Sequence, residues 1–91
     1  MNGNIKSKKV AVIGLGYVGL PLAALCATKG YRVEGLDARA ETIESLLSGQ
    51  CHIRDETVER LFEVANESGN LHPTFEANDI ADCDIYLICV P

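Results

Sequence analysis

Three closely spaced glycines, Gly14, Gly16 and Gly19, interrupt an apolar stretch near the start of the chain. Residues 10–13 before them read VAVI, which is typical of a strand buried on both faces of a parallel sheet. Residues 20–29 after them repeat apolar side chains at helical spacing and are followed by another glycine, as at a helix end. The strand, the glycine loop and the helix together predict the start of a βαβ unit.

The glycine pattern G-x-G-x-x-G has the form of a dinucleotide-binding loop. Gly14 permits the tight turn out of the strand, Gly16 lets a pyrophosphate approach the backbone, and Gly19 lets the helix pack closely on the sheet. The free N–H groups at the start of the helix would face the phosphates. Asp37 ends the next predicted strand 18 residues after Gly19, close to the spacing of about 20 at which an acid binds the adenosine ribose.

Asp37 favours NAD over NADP, because a carboxylate accepts hydrogen bonds from the ribose hydroxyls and repels a 2′-phosphate. Arg39 keeps NADP open, since a nearby arginine can accommodate that phosphate. A purely structural interpretation is also open, in which the glycines serve a tight turn and Asp37 caps the second helix. We expect NAD as the cofactor and retain the structural interpretation as the alternative.

The rest of the chain continues to alternate between strand and helix patterns. Strands are predicted at residues 10–13, 31–36, 71–75 and 84–90, and helices at residues 20–29, 40–47 and 56–67, with a brief helical turn at 78–81. This order predicts an α/β fold, a Rossmann-like doubly wound parallel sheet truncated after the fourth strand, with strand order 3-2-1-4. The fourth strand would then lie at an edge without covering helices.

Charge and cysteine placement argue against several other classes of protein. The formal net charge of -5 disfavours a nucleic-acid-binding surface. The four cysteines form no C-x-x-C pair, so we expect reduced thiols, no metal site and a cytoplasmic location. Basic residues before the apolar run are reminiscent of a signal peptide, but glycines and a proline interrupt the run and a second strand follows it. We therefore expect neither a leader nor a membrane span.

Two motifs are more specific than the glycine loop alone. They are GLGYVGLPLA at residues 14–23 and ICVP at residues 88–91, and CHIRDE at residues 51–56 lies between them. With these motifs the chain resembles the N-terminal part of the nucleotide-sugar 6-dehydrogenase family, which includes UDP-glucose and UDP-N-acetylhexosamine dehydrogenases. The resemblance implies an enzyme of polysaccharide biosynthesis that oxidises the C6 alcohol of a UDP-sugar to a carboxylate with NAD. Many members of the family carry Glu-Pro where this chain has CHIRDE, and this loop looks more like that of members acting on UDP-N-acetylhexosamines.

The same resemblance implies a set of cofactor-binding residues and the absence of catalytic ones. The cofactor-binding residues are, for the pyrophosphate, Gly14, Gly16, Tyr17, Val18 and Gly19; for the adenosine ribose, Asp37 and Arg39; and, beneath the cofactor, Cys89, Val90 and Pro91. The family's catalytic residues, dimerising helix and UDP-sugar domain would lie further along a longer, homo-oligomeric chain. Residues 1–91 are therefore expected to be a partial NAD-binding domain, and His52 and His72 are interpreted as surface or loop histidines.

Two other functions share the strand, the glycine loop and the acid. One is the N-terminal segment of a β-hydroxyacid-type dehydrogenase, which GLGYVGLPLA and CHIRDE fit less well. The other is a regulatory nucleotide-sensing domain, which would bind a nucleotide as a switch and catalyse nothing. Sequence beyond this segment would separate them, because a nucleophilic cysteine motif and a UDP-sugar domain belong to the first function alone.

Overall fold

Four parallel strands form one sheet in the computed structural model, which describes residues 8–90. The strands are β1 (Lys9–Ile13), β2 (Arg32–Leu36), β3 (Leu71–Thr74) and β4 (Ile85–Ile88). The helices are α1 (Gly19–Thr28), α2 (Ala40–Leu47) and α3 (Glu56–Ser68), and a 3-10 turn spans Ala77–Ile80. The predicted elements are confirmed, with ends that differ by a residue or two as helix and strand ends commonly do.

The strand order is β3-β2-β1-β4, which confirms the predicted order and the α/β class. β1 is central and pairs in parallel with β2 and β4, while β2 pairs with β3. Its residues Val10, Ala11 and Val12 are all buried, as expected for a strand covered on both faces. Because all four strands run the same way, their carboxyl ends meet at one edge of the sheet.

One face of the sheet packs against the helices. Val10 pairs with Val33 of β2, which pairs with Leu71 of β3, so these side chains and Val12 point to the same face. They share one core with buried helix residues, namely Leu20, Ala23, Ala24, Ala27, Ile43, Leu46, Phe62 and Ala65. Each fully buried leucine or isoleucine stabilises the fold by about 1.5–3 kcal/mol. The small side chains of α1 let this uncharged helix lie between the sheet and α3.

The opposite face of the sheet is only partly covered by the described residues. There the 3-10 turn packs near Tyr86, whose hydroxyl donates a hydrogen bond to the Ile80 carbonyl. Ile88 lies on the same face and is 70% exposed. β4 is an edge strand among the described residues, and its side chains are mostly exposed. The expectation of an exposed apolar edge is thus confirmed.

We expect the 91-residue chain to self-associate through β4, because an exposed apolar edge strand offers unpaired backbone groups and an apolar surface to a second copy. Light scattering at micromolar concentration measures this. Ile88→Lys should shift the distribution toward monomer, whereas Val64→Lys, at an exposed position of α3, should leave it unchanged. A monodisperse monomer for the unsubstituted chain would contradict the prediction.

Candidate functional site

A cleft of about 980 Å³ opens at the carboxyl ends of β1 and β2, where ligands bind in open α/β sheets. Its lining includes the glycine loop, the turn after β2, the start of the 3-10 turn and the residues after β4. The lining residues are Ile13, Gly14, Leu15, Gly16, Tyr17, Val18, Leu36, Asp37, Ala38, Arg39, Phe75, Ala77, Cys89 and Val90. Eight of the ten residues predicted from the sequence therefore lie around one cleft.

Gly14 and Gly19 are required by the protein's own backbone. Gly14 has φ +98°, in the left-handed region that favours glycine, and its N–H donates to the Leu36 carbonyl at 2.8 Å. A Cβ on Gly19 would lie 1.6 Å from the Gly14 carbonyl oxygen and 3.2 Å from Cys89 Cβ. Gly19 is buried beneath the loop and is absent from the cleft lining. It allows the close approach of α1 to the sheet, as the sequence predicted.

Gly16 is different, because nothing in the protein itself requires a glycine there. Its φ is not positive, and a Cβ built on it would meet no atom within 4 Å. The missing side chain instead leaves the floor of the cleft open. A turn alone therefore does not account for all three glycines.

The start of α1 presents unpaired backbone donors to the cleft. Among the hydrogen bonds of residues 8–90, none uses the N–H groups of Gly16, Tyr17 or Val18. Val18 is the N-cap of α1 and makes no side-chain cap, and the first turn of the helix contains no acid. Free N–H groups at a helix start, with the positive end of the helix dipole, favour an anion such as a phosphate.

Asp37 lies at the end of β2 and uses both carboxylate oxygens to hold backbone N–H groups. Oδ2 accepts from the N–H of Leu15 at 2.9 Å, and Oδ1 accepts from the N–H of Arg39 at 2.9 Å. The N-cap of α2 is Arg39, so Asp37 does not cap that helix as the structural interpretation supposed. An ionised carboxylate offers about four acceptor positions, which leaves two for a ligand.

Two predicted site residues line the cleft just after β4, and a third lies outside the described range. The N–H of Cys89 donates to the Ile13 carbonyl at 2.7 Å, which keeps the chain beside β1 after β4 ends. Val90 lines the cleft and is exposed. Pro91 lies outside the residues that the structure describes. β4 ends at Ile88, two residues before the predicted end at residue 90, and Cys89 and Val90 border the cleft.

Two residues at or behind the cleft were not predicted as site residues. Phe75 follows β3, lines the cleft and is half exposed. His52 lies in the loop between α2 and α3, and its Nε2 is 2.6 Å from the Leu15 carbonyl oxygen. No pattern in the sequence signals either position, since His52 and Leu15 are 37 residues apart. The other histidine, His72, pairs instead with Glu34 on the partly covered face of the sheet.

The cysteines carry no sign of an activated nucleophile. All four are free. Burial raises the pKa of the Cys26 and Cys51 thiols, which disfavours the thiolate. Among residues 8–90, no cluster of three or more histidine, cysteine or acidic side chains could hold a metal ion. None of the helices in that range has the length and apolar content to cross a membrane.

The fold and the cleft define a nucleotide-binding domain of the Rossmann type. Residues 8–91 match the sequence family described as the UDP-glucose/GDP-mannose dehydrogenase family, NAD binding domain. The chain therefore belongs to this family. This places the chain with the NAD-binding domains of nucleotide-sugar dehydrogenases rather than with those of the β-hydroxyacid-type dehydrogenases or the nucleotide-sensing domains.

Individual relatives agree with this membership. The UDP-N-acetyl-D-mannosamine dehydrogenase of Pyrococcus horikoshii is 38% identical over 82 residues, covering 90% of this chain and 20% of that protein. The UDP-N-acetyl-D-mannosamine dehydrogenase of Methanococcus aeolicus is 39% identical, over 91% of this chain and 18% of that protein. A solved UDP-glucose dehydrogenase from Pyrobaculum islandicum superposes with a TM-score of 0.84 at 34% identity, over 91% of this chain and 19% of that one. The chain thus spans about a fifth of the length of the relatives it matches.

Proposed function

We propose that this chain is the NAD-binding segment of a nucleotide-sugar 6-dehydrogenase that oxidises the C6 alcohol of a UDP-sugar to a carboxylate. The observation that carries the proposal is Gly16, whose missing side chain opens the cleft although no conformation or packing contact of the protein requires a glycine there. The adjacent unpaired N–H groups supply the donors that a pyrophosphate needs.

The cleft residues fit NAD in chemistry and in placement. The N–H groups of Gly16, Tyr17 and Val18 would bind the pyrophosphate, and the free acceptor positions of Asp37 would bind the adenosine ribose hydroxyls. Phe75 would offer its exposed ring to the adenine. NAD supplies the hydride acceptor when bound. The cleft residues would bind and orient that cofactor.

We also propose that the site prefers NAD over NADP, and Asp37→Asn tests this preference. Removing the negative charge should lower the preference for NAD over NADP by about tenfold, because repulsion of the 2′-phosphate is lost. Asparagine keeps an oxygen that can accept from one of the two N–H groups, so we expect a stability loss of only about 1 kcal/mol. Calorimetric titration with each dinucleotide measures the ratio of the two dissociation constants.

Asp55→Asn is the matched control for this experiment. Asp55 is the N-cap of α3 and accepts from the N–H of Val58 at 3.0 Å, a role that asparagine also performs. The control removes the same charge outside the cleft and should leave the NAD to NADP ratio unchanged. A ratio unaffected by Asp37→Asn, or no saturable binding of either dinucleotide to the unsubstituted chain, would count against the proposal.

The proposal also covers the whole enzyme, its substrate and its assembly, which involve residues beyond this chain. We place the catalytic cysteine, the UDP-sugar domain and the dimerising helix in other segments of a longer homo-oligomeric protein, because the chain spans about a fifth of its relatives. The CHIRDE loop and the names of those two relatives favour a UDP-N-acetylhexosamine substrate. A cytoplasmic location stays a prediction, supported by the four free thiols.

A further inference from the structure

Leu15 lies between the first two glycines of the loop. Its backbone N–H and its carbonyl oxygen each have a side-chain hydrogen-bond partner. Its N–H donates to Asp37 Oδ2 at 2.9 Å, and its carbonyl oxygen lies 2.6 Å from His52 Nε2. Its side chain is 1% exposed, and a Cβ on Gly35 would lie 3.1 Å from its methyl groups. Leu15 is therefore the residue of the glycine loop that is fixed at its N–H, at its carbonyl and by burial of its apolar side chain.

The His52 contact has a defined direction. A carbonyl oxygen can only accept, so His52 Nε2 carries the hydrogen and donates it to Leu15. His52 Nδ1 is buried and has no hydrogen-bond partner among the described residues. A neutral ring with its hydrogen on Nε2 satisfies both observations, because it leaves no N–H unpaired. The polar contacts of this ring within residues 8–90 are thus confined to the Leu15 carbonyl.

This bond also sets the orientation of the next N–H group in the loop. The described residues contain no cis peptide bond, and in a trans peptide the C=O and the following N–H point in opposite directions. With the Leu15 carbonyl turned toward His52, the Gly16 N–H points away from His52. That N–H is one of the unpaired donors of the cleft.

We propose that His52 is a positioning residue for the dinucleotide, acting through the Leu15 carbonyl to fix the Gly16 N–H in the direction that a pyrophosphate requires. The inference rests on the proposed function. It assigns a binding role to the CHIRDE loop, which reaches the phosphate-binding loop from behind rather than through the cleft. A purely structural role, in which His52 only anchors the α2–α3 loop, would change the free energy of unfolding without changing NAD affinity in the folded protein.

His52→Gln and His52→Asn form a matched pair that separates the two roles. Glutamine places an amide N–H near the position of Nε2, whereas asparagine is one methylene shorter and does not reach the Leu15 carbonyl. We expect His52→Gln to keep the NAD dissociation constant within about twofold of the original, and His52→Asn to raise it about tenfold, as for the loss of one hydrogen bond. His72→Ala, at the exposed histidine, is the control and should change nothing in binding.

Calorimetry with NAD and thermal unfolding of each variant give the two readouts. Equal NAD affinity for the Gln and Asn variants would overturn the positioning role while leaving the proposed function intact. No binding to the unsubstituted chain would overturn the proposed function and the positioning role with it. Nitrogen-15 NMR of the histidine ring in the free chain tests the contact independently of NAD and of any substitution. An Nε2–H tautomer for His52 supports the proposal, and an Nδ1–H tautomer overturns it.

Discussion

Gly19→Ala is expected to prevent the chain from folding as described. The added methyl would lie 1.6 Å from the Gly14 carbonyl oxygen, a backbone atom that cannot rotate away as a side chain could. Relieving this contact requires α1 to move off the sheet, which separates its buried alanines from the core. We expect a loss of about 4 kcal/mol or more in the free energy of unfolding, a large part of the stability of a small domain.

Circular dichroism and chemical denaturation measure this loss. Ala27→Gly is a useful comparison, because it lies in the same helix and changes the side chain in the opposite sense. It removes a buried methyl and lowers helix propensity, so it should cost only about 1–2 kcal/mol. A Gly19→Ala chain with the stability of the original would show that the close approach of α1 to Gly14 is not required.

Gly16→Ala is expected to have the opposite effects: the chain should still fold, and its affinity for NAD should fall strongly. The new methyl meets no protein atom within 4 Å, and the backbone conformation is one that alanine adopts, so stability should change by less than about 1 kcal/mol. The methyl would occupy the space through which a pyrophosphate approaches the N–H groups. We expect NAD affinity to fall about 100-fold, which corresponds to about 2.7 kcal/mol.

Titration of NAD, followed by thermal unfolding of the same samples, tests the second prediction. His72→Ala is the control for an unrelated substitution, because His72 is exposed, pairs with Glu34 and does not line the cleft. Unchanged NAD affinity in a folded Gly16→Ala chain would remove the observation on which the proposed function rests. Loss of folding would instead show that Gly16 serves the turn, as the structural interpretation held.

The fold was predictable from the sequence because its signals are local. The VAVI run, the alternation of strand and helix patterns and the glycine that follows each α-helix predicted the elements and the strand order. Gly14 and Asp37 could be assigned to one site from the glycine motif and its spacing, and Cys89 from the family resemblance, and the parallel strand order brings the three together at one edge of the sheet. The strand ends were less predictable, since β3 ends at Thr74 and β4 at Ile88, and Phe75 and Val90 beyond them line the cleft.

The sequence by itself determined the α/β class, the place of the cleft and the residue types around it, because backbone conformation and hydrophobic periodicity act over a few neighbouring residues. The tertiary structure alone decided how the three glycines differ, with Gly19 held by packing and Gly16 left open to a ligand. It alone brought the Asp37 carboxylate and the His52 ring to the two sides of Leu15. Those contacts join residues 22 and 37 positions apart, and they form only when the sheet and its loops are assembled.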